Sequence, residues 1–167
     1  MGHARESSGR DTSTSERFDP RAPLHYAVKA VAGGAAEKGL DLVAEVGADL
    51  PDVWVSDAGR IERLLINLAG NAIKFSPSGR VTISASHEDG RLVYRVTDTG
   101  PGIEKAYRER IFEAFERGHP EVSGKTNGSG LGLSIARSSA RLLGARLAVE
   151  DHPARNGATL ALTLDPA

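Results

Sequence analysis

The chain is expected to fold as an α/β two-layer sandwich, a mixed β-sheet covered on one face by about three helices. Three observations lead there. Apolar residues at helical spacing alternate along the chain with short runs of period-two spacing. One helical pattern is long and strongly one-sided, with Ile61, Leu64, Leu65, Leu68, Ala72 and Ile73 on a single stripe. Two alternating runs, Val81–Ser86 and Leu92–Thr97, flank Asp89-Gly90, a dipeptide suited to a tight hairpin.

The elements follow in order. Residues 1–17 are polar, with almost no large apolar side chains, and are expected to be a disordered tag or linker. Pro23 suits the first turn of a helix, and Leu24, Ala27, Val28 and Val31 carry its apolar face. Gly33-Gly34 weakens its end and Gly39 stops it. Strands are expected at Leu40–Val46 and Val53–Ser56, separated by the turn from Gly47 to Pro51. Asp57 is a good N-cap for the one-sided helix, which Pro77-Ser-Gly79 ends. After the hairpin come a short helix around Glu104–Phe112 and a glycine-rich loop. A helix over Leu131–Leu143, ended by Gly144, precedes a closing hairpin of Leu147–Glu150 and Thr159–Leu164.

Composition narrows the function classes. A length of 167 residues with 40% hydrophobic content suits one domain with a real core. A formal net charge of −1 supplies no bulk attraction to nucleic acid or to an anionic membrane. With no cysteine, disulfides and thiolate metal sites are excluded, and a reducing compartment fits. No apolar run is long enough to span a bilayer, and no secretory signal pattern is present. A cytoplasmic location is expected for this piece, whether or not a parent protein is membrane-anchored.

Four motifs then follow one another in fixed order. Asn67-Leu-Ala-Gly-Asn71-Ala-Ile-Lys74-Phe75 lies in the one-sided helix, where Asn67, Asn71 and Lys74 share a face well round from the core stripe. Asp98-Thr-Gly100-Pro-Gly102 ends a strand, Ile111-Phe-Glu-Ala-Phe115 follows, and Gly128-Ser-Gly130-Leu-Gly132-Leu opens a helix late in the chain. Each alone is weak, because short glycine motifs recur by chance. Together, from about Phe18 to Leu164, they resemble the N, G1, F and G2 boxes of the catalytic, ATP-binding domain of sensor histidine kinases. Those domains belong to the GHKL superfamily and have the Bergerat fold, so the resemblance marks 18–167 as one such domain.

The resemblance implies ATP and Mg²⁺ as cofactors. It makes Asn71 the Mg²⁺ ligand, with Asn67 supporting it, Lys74 near the phosphates and Phe75 near the base. A carboxamide oxygen is a hard, neutral donor that suits Mg²⁺, whose other ligands would be phosphates and water. Asp98 would accept from the exocyclic amine of adenine, with Gly100 and Gly102 letting the base approach the backbone. Guanine presents a carbonyl there and would be repelled. Gly128, Gly130, Leu131 and Gly132 would offer free N–H groups at a helix start to the phosphates. The loop from Arg117 to Ser129, rich in Gly, Ser, Thr, Asn and Pro, resembles the ATP lid; Arg117 and Lys125 are its candidate phosphate contacts, and Phe112 and Phe115 its anchors.

The four boxes do not by themselves fix the reaction class, because gyrase, mismatch-repair and heat-shock chaperone ATPases share them. Those hydrolases place a Glu one turn before the Mg²⁺ ligand, where it can activate water. Here Asn67 stands at that position, a poor base at any useful pH. Lys74-Phe75 and the Glu-Ala-Phe-Glu-Arg sequence favour the histidine kinase branch over the anti-sigma serine kinases. None of the five histidines, His3, His25, His87, His119 and His152, has the acidic phosphoacceptor context of a sensor kinase. The acceptor is therefore expected on a separate dimerisation domain, with a response regulator receiver domain as the further partner. The alternative is a degenerate module that binds nucleotide or a response regulator as a scaffold. The departures from the family pattern are Ala114, where proline is common, and Gly70 inside the helix, worth about 1 kcal/mol of helix propensity.

Overall fold

The computed structural model describes residues 15–76, 78–98, 129–150 and 159–166. Strand β1 (Glu16–Phe18) comes first, followed by helix α1 (Arg21–Glu37), strands β2 (Asp41–Val46) and β3 (Trp54–Ser56), and helix α2 (Ala58–Phe75). The hairpin β4 (Arg80–Glu88) and β5 (Arg91–Asp98) follows, then helix α3 (Ser129–Leu142) and strands β6 (Arg146–Glu150) and β7 (Thr159–Leu164). Five strands form one sheet in the order β2-β4-β5-β7-β6. The β2–β4 pair is parallel and the other three pairs are antiparallel, so the sheet is mixed as expected.

Strand β1 corrects the boundary drawn from composition. The chain is already extended at Glu16, inside the stretch read as a tag or linker, and β1 pairs antiparallel with β3 through Glu16↔Ser56 and Phe18↔Trp54. A three-residue strand is too short to show a period in sequence. Strands β2 and β3, adjacent along the chain, thus belong to different sheets.

Helix α1 starts two residues before Pro23, and the side chain of Asp19, just ahead of it, fastens its first residue. The Asp19 carboxylate accepts from the Arg21 backbone N–H at 2.9 Å, and that hydrogen bond holds its carboxyl below the usual carboxylate range. Pro23 falls inside the first turn, where its missing N–H costs no hydrogen bond. Gly33 and Gly34 do not shorten the helix, which continues to Glu37 because Val31 and Ala35 on either side of the pair are buried. Helices α1 and α3 end alike. Leu40 N–H donates to the Ala35 carbonyl and Ala145 N–H to the Ala140 carbonyl, closures that require the left-handed Gly39 and Gly144 at φ 70° and 72°.

The core lies between the helices and one face of the sheet. Period-two spacing points Val81, Ile83 and Ala85 of β4, Leu92, Tyr94 and Val96 of β5, and Leu160, Leu162 and Leu164 of β7 to that face, and all are buried. Leu24, Ala27 and Val31 of α1 and Ile61, Leu64, Leu65 and Leu68 of α2 fill it from the other side. Tyr94 is fully buried, and its hydroxyl donates to the Pro20 carbonyl at 2.7 Å, tying the middle of β5 to the start of α1. Burial pushes this phenol's pKa up, so it remains a donor. Tyr94→Phe should cost about 0.5–1.5 kcal/mol in urea unfolding, with little change in transition slope.

Opposite the core, Arg95 joins three strands. Its guanidinium donates to Glu88 on β4 at 3.0 Å and to Glu150 on β6 at 2.8 Å. Hydrogen bonds from Arg95, then from Ser86, hold the Glu88 carboxyl at about 2, against an ordinary value of 4.5. Because the folded value is depressed, this stabilisation is complete above pH 4.5 and is lost as the pH falls toward 2. Glu88 is 44% exposed, so solvent screening limits the effect to about 1 kcal/mol or less. Glu88→Gln should therefore melt below the parent at pH 7, with the gap closing toward pH 2.

Candidate functional site

The site is built on α2. Asp57 caps it as expected, its Oδ1 accepting from the Arg60 backbone N–H at 3.0 Å. The apolar stripe from Ile61 to Ile73 anchors one side of the helix in the core. On the other side, Asn67 and Asn71 are half-buried and Lys74 is exposed, so the face emerges from the protein toward its C-terminal end. Asn71 Nδ2 donates to Asn67 Oδ1 at 3.2 Å. That bond commits the amide end of Asn71 to its neighbour one turn back and leaves its carboxamide oxygen as the end suited to a cation.

The last turn of α2 is held from outside the helix. Lys38, just past the end of α1, donates through Nζ to the carbonyls of Ile73 at 2.6 Å and Lys74 at 3.1 Å. These are terminal acceptors that α2 cannot satisfy itself, and a cation there also favours the helix dipole. Sequence offered no signal for this contact, which spans thirty-five residues.

Asp98 is the last residue of β5 and is 8% exposed. It continues the Leu92, Tyr94, Val96 phase, so it faces the helix-covered side of the sheet. The register pairs Asp98 with Val81, one residue into β4. Strand β4 begins only a few residues after α2 ends, at Arg80. The Asp98 carboxylate and the Lys74-Phe75 end of α2 therefore lie at the same end of the sheet. Next to Asp98, Thr97 Oγ1 lies 3.1 Å from Thr159 Oγ1, closing the ladder between β5 and β7.

Helix α3 brings a third group to this end. Its C-terminus turns through Leu143–Ala145 into β6, and Glu150 at the far end of β6 pairs with Thr159 beside Asp98. The helix packs on β6 and runs back against it, so its first turns point toward the Asp98 end. Gly130, Leu131 and Gly132 lie in those turns; the helix opens at Ser129, two residues before the expected start at Leu131. Phe75 is the last residue of α2. Gly100, Gly102, Arg117, Lys125 and Gly128 lie outside the described residues, as do the helix expected around Glu104–Phe112, the anchors Phe112 and Phe115, and most of the expected lid.

Arg60 is a residue that the motif reading passed over. It is 4% exposed, with Nη1 donating to Ser139 Oγ of α3 at 3.1 Å and Nε lying 3.7 Å from Asp57 Oδ2. Its sequence signal was a charge in phase with Leu64 and Leu68, within the buried stripe.

Comparison with known proteins agrees with this fold. Residues 56–167 match the family described as histidine kinase-, DNA gyrase B- and HSP90-like ATPase. Hybrid signal transduction histidine kinase K of Dictyostelium discoideum is 37% identical over 141 residues, covering 77% of this chain and 12% of its own length. Signal transduction histidine-protein kinase BarA of Escherichia coli K12 is 31% identical over 143 residues, covering 83% of this chain and 16% of its own. This chain thus spans a small fraction of those curated relatives. Full-length ShkA in complex with AMPPNP superposes with a TM-score of 0.80 at 34% identity, over 92% of this chain and 31% of that one. The nucleotide-free catalytic domain of histidine kinase ThkA shares the fold, with a TM-score of 0.76 at 24% identity, over 90% of this chain and 97% of that domain. Among the described residues no helix is long and apolar enough to cross a membrane. The chain belongs to the histidine kinase-, DNA gyrase B- and HSP90-like ATPase family, as the catalytic, ATP-binding domain of a sensor histidine kinase.

Proposed function

We propose that this domain holds Mg·ATP at the Asp98 end of the sheet and presents the γ-phosphate to a histidine on a separate dimerisation domain. The observation that carries the proposal is the phase of Asp98. Its carboxylate lies on the helix-covered face, at the end where α2 terminates and toward which α3 points. The AMPPNP complex of the 34% identical ShkA supports an adenine nucleotide as the ligand.

Asp98 accepts from the adenine amine, with Gly100, Gly102 and Phe75 around the base. Asn71 offers its carboxamide oxygen to the ion and Asn67 holds the other end of that amide. Lys74 adds a point charge beside the phosphates. The start of α3, with Gly128, Gly130, Leu131 and Gly132, supplies backbone N–H groups to the same oxygens, and Arg117 and Lys125 contribute from the lid. When bound at Asn71, Mg²⁺ would supply neutralisation of phosphate charge. The residues named here contribute positioning and electrostatics. Asn67 stands where a hydrolase of this superfamily would carry its base, so transfer to an imidazole is favoured over transfer to water. A receiver domain then takes the phosphoryl group from that histidine, in the cytoplasm.

The test is to mix the purified domain with a separately made dimerisation domain of the same kinase and Mg·ATP. Acid-labile phosphate on the dimerisation domain's histidine is the expected result. Nucleotide binding without any such product would favour the scaffold reading instead.

A further inference from the structure

Arg60 and Ser139 lie at the far end of the α2–α3 pair from the nucleotide. Arg60 is eleven residues before Asn71, roughly 16 Å along the helix, and Ser139 is in the last turn of α3. The two helices run antiparallel, and the α3 positions buried most completely among its described side chains are Ala136 and Ala140. Alanine fills space but interlocks weakly, so an alanine face tolerates sliding and leaves axial register poorly specified. Among the described side chains, Arg60 Nη1 donates across the helix pair to Ser139 Oγ, from a guanidinium that is 4% exposed and steadied by Asp57.

We propose that Arg60 is a positioning residue that sets the register of α3 against α2. Resting on the nucleotide site proposed above, this places the N-terminus of α3 opposite the Asn67–Asn71 face. The bond makes little sense as a source of stability. Arg60 Nε is buried without a hydrogen-bond acceptor among the described residues, and a buried ion pair with such an unmet donor is often no more stable than apolar side chains in place of both partners. Fixing one arrangement among several is the better-attested use of such a group.

The test uses Arg60→Met, which keeps length and removes charge. The chain has no cysteine, so spin labels at Arg63→Cys on α2 and Ser138→Cys on α3, both exposed, report the interhelix distance without background. In the nucleotide-free protein the parent should give one narrow distance and Arg60→Met a broadened or displaced one. AMPPNP affinity should fall roughly tenfold while adenosine affinity stays the same, because adenosine does not reach α3. Ser139→Ala should shift both readouts the same way, and the double variant should be no worse than Arg60→Met alone. Should Arg60→Met fail to fold, Ser139→Ala decides the matter by itself. An unchanged distance distribution overturns the proposal, and so does an equal loss of adenosine and AMPPNP binding. If the parent binds AMPPNP no better than adenosine, the nucleotide reading fails, and the label distances still decide the register.

Discussion

Asn71→Ala is expected to lower phosphotransfer by about 10²- to 10³-fold, the scale seen when a group that stabilises transition-state charge is removed. It should also erase the Mg²⁺-dependent part of ATP binding and leave a weaker, metal-independent affinity through Asp98. Folding should not account for the loss. Asn71 is half-buried rather than buried, and alanine is the better helix former by about half a kcal/mol. Calorimetric titration of Mg·ATP and of ATP with EDTA, beside a melting curve, separates the effects. Because the ion is held mainly by substrate phosphates, the parent should show no tight Mg²⁺ binding without nucleotide. Normal transfer by the variant, or micromolar Mg²⁺ affinity in the empty protein, would remove Asn71 from the metal site.

Asp98→Asn should weaken ATP by roughly 1.5–3 kcal/mol, about 10- to 150-fold, through loss of a charge-assisted hydrogen bond. The substitution is isosteric and lies at the last rung of the β4–β5 ladder, so the strand should survive it. Lower affinity with undiminished stability is the signature of a residue placed for binding. Unchanged ATP affinity, or a parent that takes GTP equally well, would exclude Asp98 from the adenine pocket.

What the sequence made legible follows from the range of the interactions involved. The α2 stripe, its Asp57 cap and the Asp89-Gly90 turn are local, and each appeared where expected. Asp89 at φ 53° and Gly90 at φ 79° are the pair of left-handed residues that such a hairpin demands. The Asn67–Asn71 contact was readable because one helical turn separates the two residues. Contacts between distant segments were not. The parallel pairing of β2 with β4, the β1–β3 ribbon, and the Lys38 cap on α2 join residues that no periodicity relates. Arg60 was half-legible: its phase announced burial, but its partner on α3 lies seventy-nine residues away.

The sheet has a polarity with consequences for how such a domain diversifies. Arg80, Asp98 and Thr159 gather at one end, whereas the Asp89-Gly90 turn caps the other. Gly90 has open space around it among the described residues, and Asp89-Gly90 needs only to reverse the chain. A lineage could lengthen this turn, or graft a whole module into it, without disturbing the Asp98 end of the sheet. The same end is a natural place to splice in a fluorescent reporter, because the β4–β5 register is set along eight rungs rather than by the turn alone.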